Sequence, residues 1–190
     1  GRCDRGDDHL HESCLPRSDE GDRRPRVLRR SGRAVRNRAE RVKAFRVSSL
    51  RVERDGPLLR VTMARPERRN AFDASLIAEL TSAFADVGNA RAVMLAGEGA
   101  SFSAGADVEW MRSSVELSEE ENVQDALRLR AMLDAIDGCP APVVARVQGH
   151  ALGGGVGLVA CCDIVIADPA AQFAFSEVKL GIVPAVISPF

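Results

Sequence analysis

The 190-residue sequence has no uncharged apolar run of the roughly 18 residues that a membrane-spanning helix needs. Its most apolar stretch, residues 149–167, is rich in glycine and interrupted by Asp163. Cysteine is sparse and odd in number, five in all (Cys3, Cys14, Cys139, Cys161 and Cys162), with no CxxC pair. The N-terminus also lacks the apolar centre of a secretory signal, so neither a disulfide framework nor an oxidising compartment is suggested. A soluble, cytoplasmic chain with reduced thiols is the expectation. Histidine is scarcer still, three in all, and only His150 follows His11, which makes a metal site improbable. Cys3, His9, His11 and Cys14 lack zinc-ligand spacing. No GxxxxGK[ST] occurs, which removes support for P-loop phosphate chemistry, and no GxSxG marks a nucleophile elbow.

Charge of either sign is not in excess: 26 Lys and Arg face 27 Asp and Glu, for a net charge of −1. That balance joins two unlike segments. Residues 1–46 hold 13 Arg, 1 Lys and 8 acids, whereas residues 47–190 hold 12 basic and 19 acidic residues. In the first segment apolar residues stand singly between charges, too few to offset the entropy lost on ordering. Binding to nucleic acid or anionic lipid is weakened by the interspersed acids and by the absence of any aromatic before Phe45. A transit peptide would be poor in acids. Residues 1–46 are therefore expected to be disordered or foreign to the natural domain, and residues 47–190 to form a single domain.

From Phe45 onward the pattern is ordered. Val47, Leu50 and Val52, then Leu59, Val61 and Met63, flank Asp55-Gly56-Pro57 and predict a hairpin. Asp73 predicts an N-cap for a helix running to about Val87, with Ile77, Leu80 and Phe84 on one face. Ala92 to Ala96, Val143 to Val147 and Asp163 to Ala167 read as buried strands. Ser118 and Glu121 form a capping box, opening a helix that carries Ala126, Leu129, Leu133 and Ile136 and stops at Gly138 and Pro140. Strands alternating with helices imply an α/β chain with some parallel pairing.

Two glycine-rich loops stand out, Ser103-Ala104-Gly105-Ala106-Asp107 after one strand and Gly153-Gly154-Gly155 before a helix. Each can offer backbone N–H groups to an anion, and two such donors converging on one oxygen form an oxyanion hole. Tight turns and close packing explain either loop if it stood alone. Gly155 to Ala160 also fits the G-x-G-x-x-A dinucleotide pattern. However, residues 148–154 separate it from its strand, and Asp168 follows only 13 residues after Gly155.

Taken together, residues 101–107, residues 147–155, Cys162-Asp163-Ile164 and residues 175–184 resemble the enoyl-CoA hydratase/isomerase (crotonase) superfamily in order and spacing, as does Arg65-Pro66-Glu67-Arg68-Arg69-Asn70-Ala71-Phe72. Within it, GGGVGLVACCDI and SEVKLGIVPAVISPF are most similar to bacterial methylglutaconyl-CoA hydratases. The resemblance implies repeated ββα units forming a curved sheet layered with helices, and suggests that the family's C-terminal helical region is missing. It implies hydration of a branched enoyl-CoA such as 3-methylglutaconyl-CoA, as in leucine degradation or fatty acid metabolism. Coenzyme A would enter as part of the substrate, without a separate cofactor, metal, nucleic acid or membrane partner. Homotrimers or dimers of trimers would be the assembly. The enolate oxygen would rest on the N–H groups of Ala104 and Gly154, with Gly105, Ala106 and Asp107 beside the thioester and Arg68 near the coenzyme A entrance. Glu177 would be the acid and base. The family's second carboxylate falls on Gly157, which has no side chain; a group near Glu109 or Glu120 is a candidate substitute. Isomerisation of a 3-enoyl-CoA by Glu177 alone, or a non-catalytic acyl-CoA-binding fragment, are the alternatives. Cys161 and Cys162 read as small buried hydrophobes.

Overall fold

Leu50–Asp55 (β2) and Leu58–Met63 (β3) pair antiparallel around a turn in which Gly56 takes φ +59°. The computed structural model describes residues 45–46 and 49–190. Phe45–Arg46 forms a short strand, β1, that pairs antiparallel with β2. The zinc candidates and the rest of the Arg-rich segment lie outside the described residues.

Ala74–Ala85 (α1) is capped by Asp73, whose carboxylate accepts from the Leu76 N–H at 3.0 Å. It ends two residues before Val87, because Asp86 leaves the helical region and Gly88 turns at φ +54°. Ala92–Gly97 is β4 and Val108–Ser113 is α2. Glu119–Asp137 (α3) opens with the expected capping box, Ser118 and Glu121 each bonding the other's backbone N–H, and ends at Gly138. Val143–Val147 is β5, His150–Leu152 is β6, Gly154–Ala160 is α4, Ile164–Ala167 is β7 and Gln172–Ala174 is β8. A 3-10 turn, Ser176–Leu180, follows.

Six strands form one sheet in the order β1-β2-β3-β4-β5-β7, with β3, β4, β5 and β7 parallel. Helices make each parallel crossover, so strand-and-helix units recur along the chain as expected. Helices α1 and α3 cover one sheet face: Leu76, Ile77, Leu80 and Phe84 of the first and Met132, Leu133 and Ile136 of the second are buried with Val61, Met63, Val93, Leu95, Val143 and Ala145. At about 1.5–3 kcal/mol per fully buried large apolar side chain, this layer holds the units together.

Two expectations change. The short strands β6 and β8 form a separate parallel pair, where the sequence reads as a glycine-rich turn and a loop; three residues carry too little alternation to reveal a strand. Strand β7 forms as expected but is not buried: Ile164 is 52% exposed and Ile166 61%. It is the edge strand, paired on one side only among the described residues.

Candidate functional site

The two glycine-rich loops lock together through their backbones. Phe102 and Ser103 donate to the carbonyls of Gln148 and His150 at 2.8 and 3.0 Å, and Leu152 returns a bond to the Ser103 carbonyl at 2.9 Å. A side chain at Gly105, which sits at φ +84°, would put Cβ 2.5 Å from the Leu152 carbonyl oxygen and 3.1 Å from the Gly154 nitrogen. These distances require glycine. Asn70 braces the same region from below. It is fully buried at φ +54°, accepts from the Arg65 N–H at 3.0 Å, and donates to the carbonyls of Glu98 and Ser101 at 2.9 Å each.

One expected donor in these loops is not free. The Ala104 N–H is already engaged by the Arg69 carbonyl at 2.9 Å. Ala106 pairs with Phe72 in a parallel bridge, in which Phe72 donates to the Gly105 carbonyl and Asp107 donates to the Phe72 carbonyl, each at 2.9 Å. Backbone groups alternate along such a strand. The Ala106 N–H therefore faces away from Phe72 and has no partner among the described residues. Gly154 is the first residue of α4, so its N–H has no acceptor within the helix. Ala106 and Gly154 thus present the two unengaged donors, and both line one apolar cavity of about 500 Å³.

Glu177 enters the same cavity from the 3-10 turn. The point where a Gly153 Cβ would stand lies 2.8 Å from Glu177 Oε1 and 3.1 Å from Ser176 Oγ, so this glycine makes room for both side chains. Glu177 Oε2 is buried without a hydrogen-bond partner. Phe72, Trp110, Leu152 and Val186 supply apolar wall; Glu177 is the one carboxylate and Lys179 the one cation among the lining residues.

The substitutes for a second carboxylate are elsewhere. A Cβ at Gly157 would strike Ile187 Cγ2 at 2.5 Å, so this position faces packed side chains and does not line the cavity. Glu109 is exposed and pairs with Arg68 at 2.7 Å, and Glu120 is exposed in the first turn of α3; neither lines the cavity.

Arg68, Gly105 and Asp107 also fall outside the cavity wall. Asp107 is the N-cap of α2, bonded by the Glu109 and Trp110 N–H groups and paired with Arg68 at 3.2 Å and Arg65 at 3.6 Å. Burial pushes its carboxyl upward, but those N–H groups and the Arg68 guanidinium outweigh it and hold it below the ordinary carboxylate value. Glu109 first, then Asp107, holds Arg68 still more firmly in its charged form. This cluster closes the floor of the loop; it does not face the cavity. Burial pushes the Cys161 and Cys162 thiols up to about 12, far from the thiolate state that nucleophilic chemistry needs.

Sequence reasoning did not single out Ser176, and it took Asn70 only as part of a motif. The Asn70 signal was present in the Arg-Pro-x-x-x-Asn-Ala spacing; Ser176 carried none apart from its neighbour Glu177.

Residues 53–190 match the family described as enoyl-CoA hydratase/isomerase. An enoyl-CoA hydratase of Alternaria alternata is 40% identical over 135 residues, covering 70% of this chain and 43% of that protein. An enoyl-CoA isomerase/hydratase of Mycosarcoma maydis is 35% identical over 136 residues, covering 65% of this chain and 48% of its own length. Among solved structures, an enoyl-CoA hydratase from Shewanella pealeana superposes with a TM-score of 0.70 at 39% identity, covering 74% of this chain and 54% of that one. The chain spans about half the length of the curated relatives it matches.

Proposed function

Because the chain belongs to the enoyl-CoA hydratase/isomerase family, we propose that its cavity takes a 2-enoyl-CoA thioester and adds water across the double bond. The observation that carries this reading is the meeting, in one apolar cavity, of two unengaged N–H groups with a buried, unpartnered carboxylate oxygen. The thioester oxygen rests on the Ala106 and Gly154 N–H groups. Water adds to C3 while Glu177 takes its proton, the π electrons pass into the enolate, and the two donors hold the oxygen as it becomes negative. Glu177 then returns the proton to C2. Apolar walls keep bulk water from the enolate and accept the acyl chain. Coenzyme A arrives with the substrate, so the reaction requires no resident cofactor.

Isomerisation of a 3-enoyl-CoA to a 2-enoyl-CoA is the second reading, favoured by Glu177 being the one lining carboxylate: moving a proton from C2 to C4 needs a single base. A carboxylate-tailed, branched substrate such as 3-methylglutaconyl-CoA is the finer proposal, and the support for it is Lys179, the one lining cation. Assembly into trimers is proposed on the family resemblance.

The test is Glu177→Gln assayed with 2-enoyl and 3-enoyl thioesters. Turnover should fall about 10²-fold or more, the range for loss of a general base, with acyl-CoA affinity nearly unchanged. Unchanged turnover sinks the mechanism. Acyl-CoA binding without any turnover by the parent chain would instead identify a binding fragment.

A further inference from the structure

A water attacking C3 is best oriented when acceptors hold both of its protons, so that a lone pair points at carbon. A single carboxylate oxygen takes one of them. The position that would carry a second acid, Gly157, points into Ile187 and Leu133, and no other carboxylate among the described residues lines the cavity. A second acceptor on the protein would then be a group of another kind.

Ser176 is the group in place. Its hydroxyl oxygen and Glu177 Oε1 lie 3.1 and 2.8 Å from the same point above Gly153, and both side chains line the cavity. The hydroxyl makes no hydrogen bond among the described residues, although the residue is only half-exposed and opens a 3-10 turn whose N-cap, Phe175, makes no side-chain bond. Glu177 Oε2 is likewise buried and unpartnered. Two oxygens thus converge over one glycine with no hydrogen bond between them among the described residues, and polar groups left in this way are what a bridging water satisfies.

We propose that Ser176 is the second holder of the attacking water, standing where a second carboxylate is absent. The inference rests on the hydration reading above. One water proton goes to Glu177; the other stays on oxygen and is held by Ser176 Oγ. The new C3–O bond forms from the water lone pair, the C2=C3 pair moves into the enolate, and the proton on Glu177 passes to C2. Ser176 keeps its own proton throughout, so the sum is addition of one water.

The experiment compares hydration of a 2-enoyl-CoA with deuterium uptake from D₂O at C2 of an acyl-CoA. The uptake uses Glu177 and the two N–H groups but no held water. Ser176→Ala should lower hydration kcat by about tenfold, the worth of one hydrogen bond at the reacting centre, with KM and the rate of uptake unchanged. Ser176→Thr, which keeps the hydroxyl, should restore most of the loss. Hydration by Ser176→Ala at the parental rate would overturn the proposal, and so would equal loss of hydration and uptake, which marks a merely structural residue. A parent chain that takes up deuterium but hydrates no 2-enoyl-CoA would overturn the hydration reading itself, and this proposal with it.

Discussion

Replacing Gly157 by alanine and by glutamate tests whether this position belongs to the packed interior or to the reacting centre. Gly157 is buried within α4, and a Cβ added there would stand 2.5 Å from Ile187 Cγ2, 3.0 Å from Ile187 Cβ and 3.8 Å from Leu133 Cδ2. Carbon atoms in contact sit about 3.5–4.0 Å apart. Turning the Ile187 side chain would move Cγ2 but leave Cβ too close, so the backbone around Ile187 has to retreat. Overpacking of this kind costs about 1–3 kcal/mol, while removing a glycine from a helix interior returns about 1 kcal/mol. Gly157→Ala should therefore destabilise by about 0–2 kcal/mol, lowering Tm by up to about 8 °C for a chain of this size. Gly157→Glu adds the burial of an unpaired charge against Ile187 and Leu133, a further cost of several kcal/mol.

Thermal unfolding followed by circular dichroism measures the first quantity, and loss of enoyl-thioester absorbance measures hydration. Both variants should melt below the parent, glutamate well below alanine, and neither should hydrate faster. Adding Ile187→Ala should remove the overpacking cost and leave Gly157→Ala neutral to stabilising by about 1 kcal/mol, because the two sites share one space. A Gly157→Glu chain as stable as the parent and faster in hydration would refute the packing argument: position 157 would then reach the substrate.

Two further variants probe the frame around the loops. Asn70→Asp removes the amide donors to the Glu98 and Ser101 carbonyls and sets a carboxylate oxygen against them; at about 1–3 kcal/mol per group left unsatisfied, unfolding in urea should show a loss of about 3 kcal/mol. Parental stability would mean that Asn70 does not brace the loops. Asp107→Asn tests the sign of a pKa shift. The folded carboxyl is more acidic than that of the unfolded chain, so its stabilising effect is complete above the unfolded value, near 4, and is lost as pH falls through the lower folded value. Asparagine keeps the capping oxygen but not the charge paired with Arg68 and Arg65, so the variant should be less stable at pH 7 by up to about 1 kcal/mol, and the gap should close in acid. A gap independent of pH would place the effect in packing instead.

Local physics made much of this chain legible before its structure. Asp73, Ser118 with Glu121, and Gly138 mark helix ends because capping is settled within four residues. The spacing of Ile77, Leu80 and Phe84 marks a face because a helix repeats every 3.6 residues. Burial of β7 was not legible in the same way. An apolar run such as Ile164-Val165-Ile166 states that a strand is fit to be covered; whether anything covers it depends on residues far away in sequence. In the described residues β7 stands at the sheet edge, with all four of its residues exposed.

The proposed oxyanion donors show the same limit at a finer scale. Glycine and serine content located both loops, and the Gly154 N–H follows from its place at the start of a helix, which leaves that group without an acceptor inside the helix. In the other loop the chain does not keep a strand's strict alternation: Ala104 and Ala106 lie two positions apart, yet the N–H of the first is bonded within the fold and that of the second is not, so spacing alone does not assign the donor. Ala104 and Ala106 have the same side chain and flank the same glycine. What separates them is a neighbour more than thirty residues away: Arg69 takes the Ala104 N–H, and the bridge to Phe72 turns the Ala106 N–H toward the cavity. The segment that decides which alanine can hold an anion is therefore residues 69–72, held in place by Asn70 at φ +54°. Asn70 would act on the proposed oxyanion site through the pairing of its neighbours, since it does not itself line the cavity.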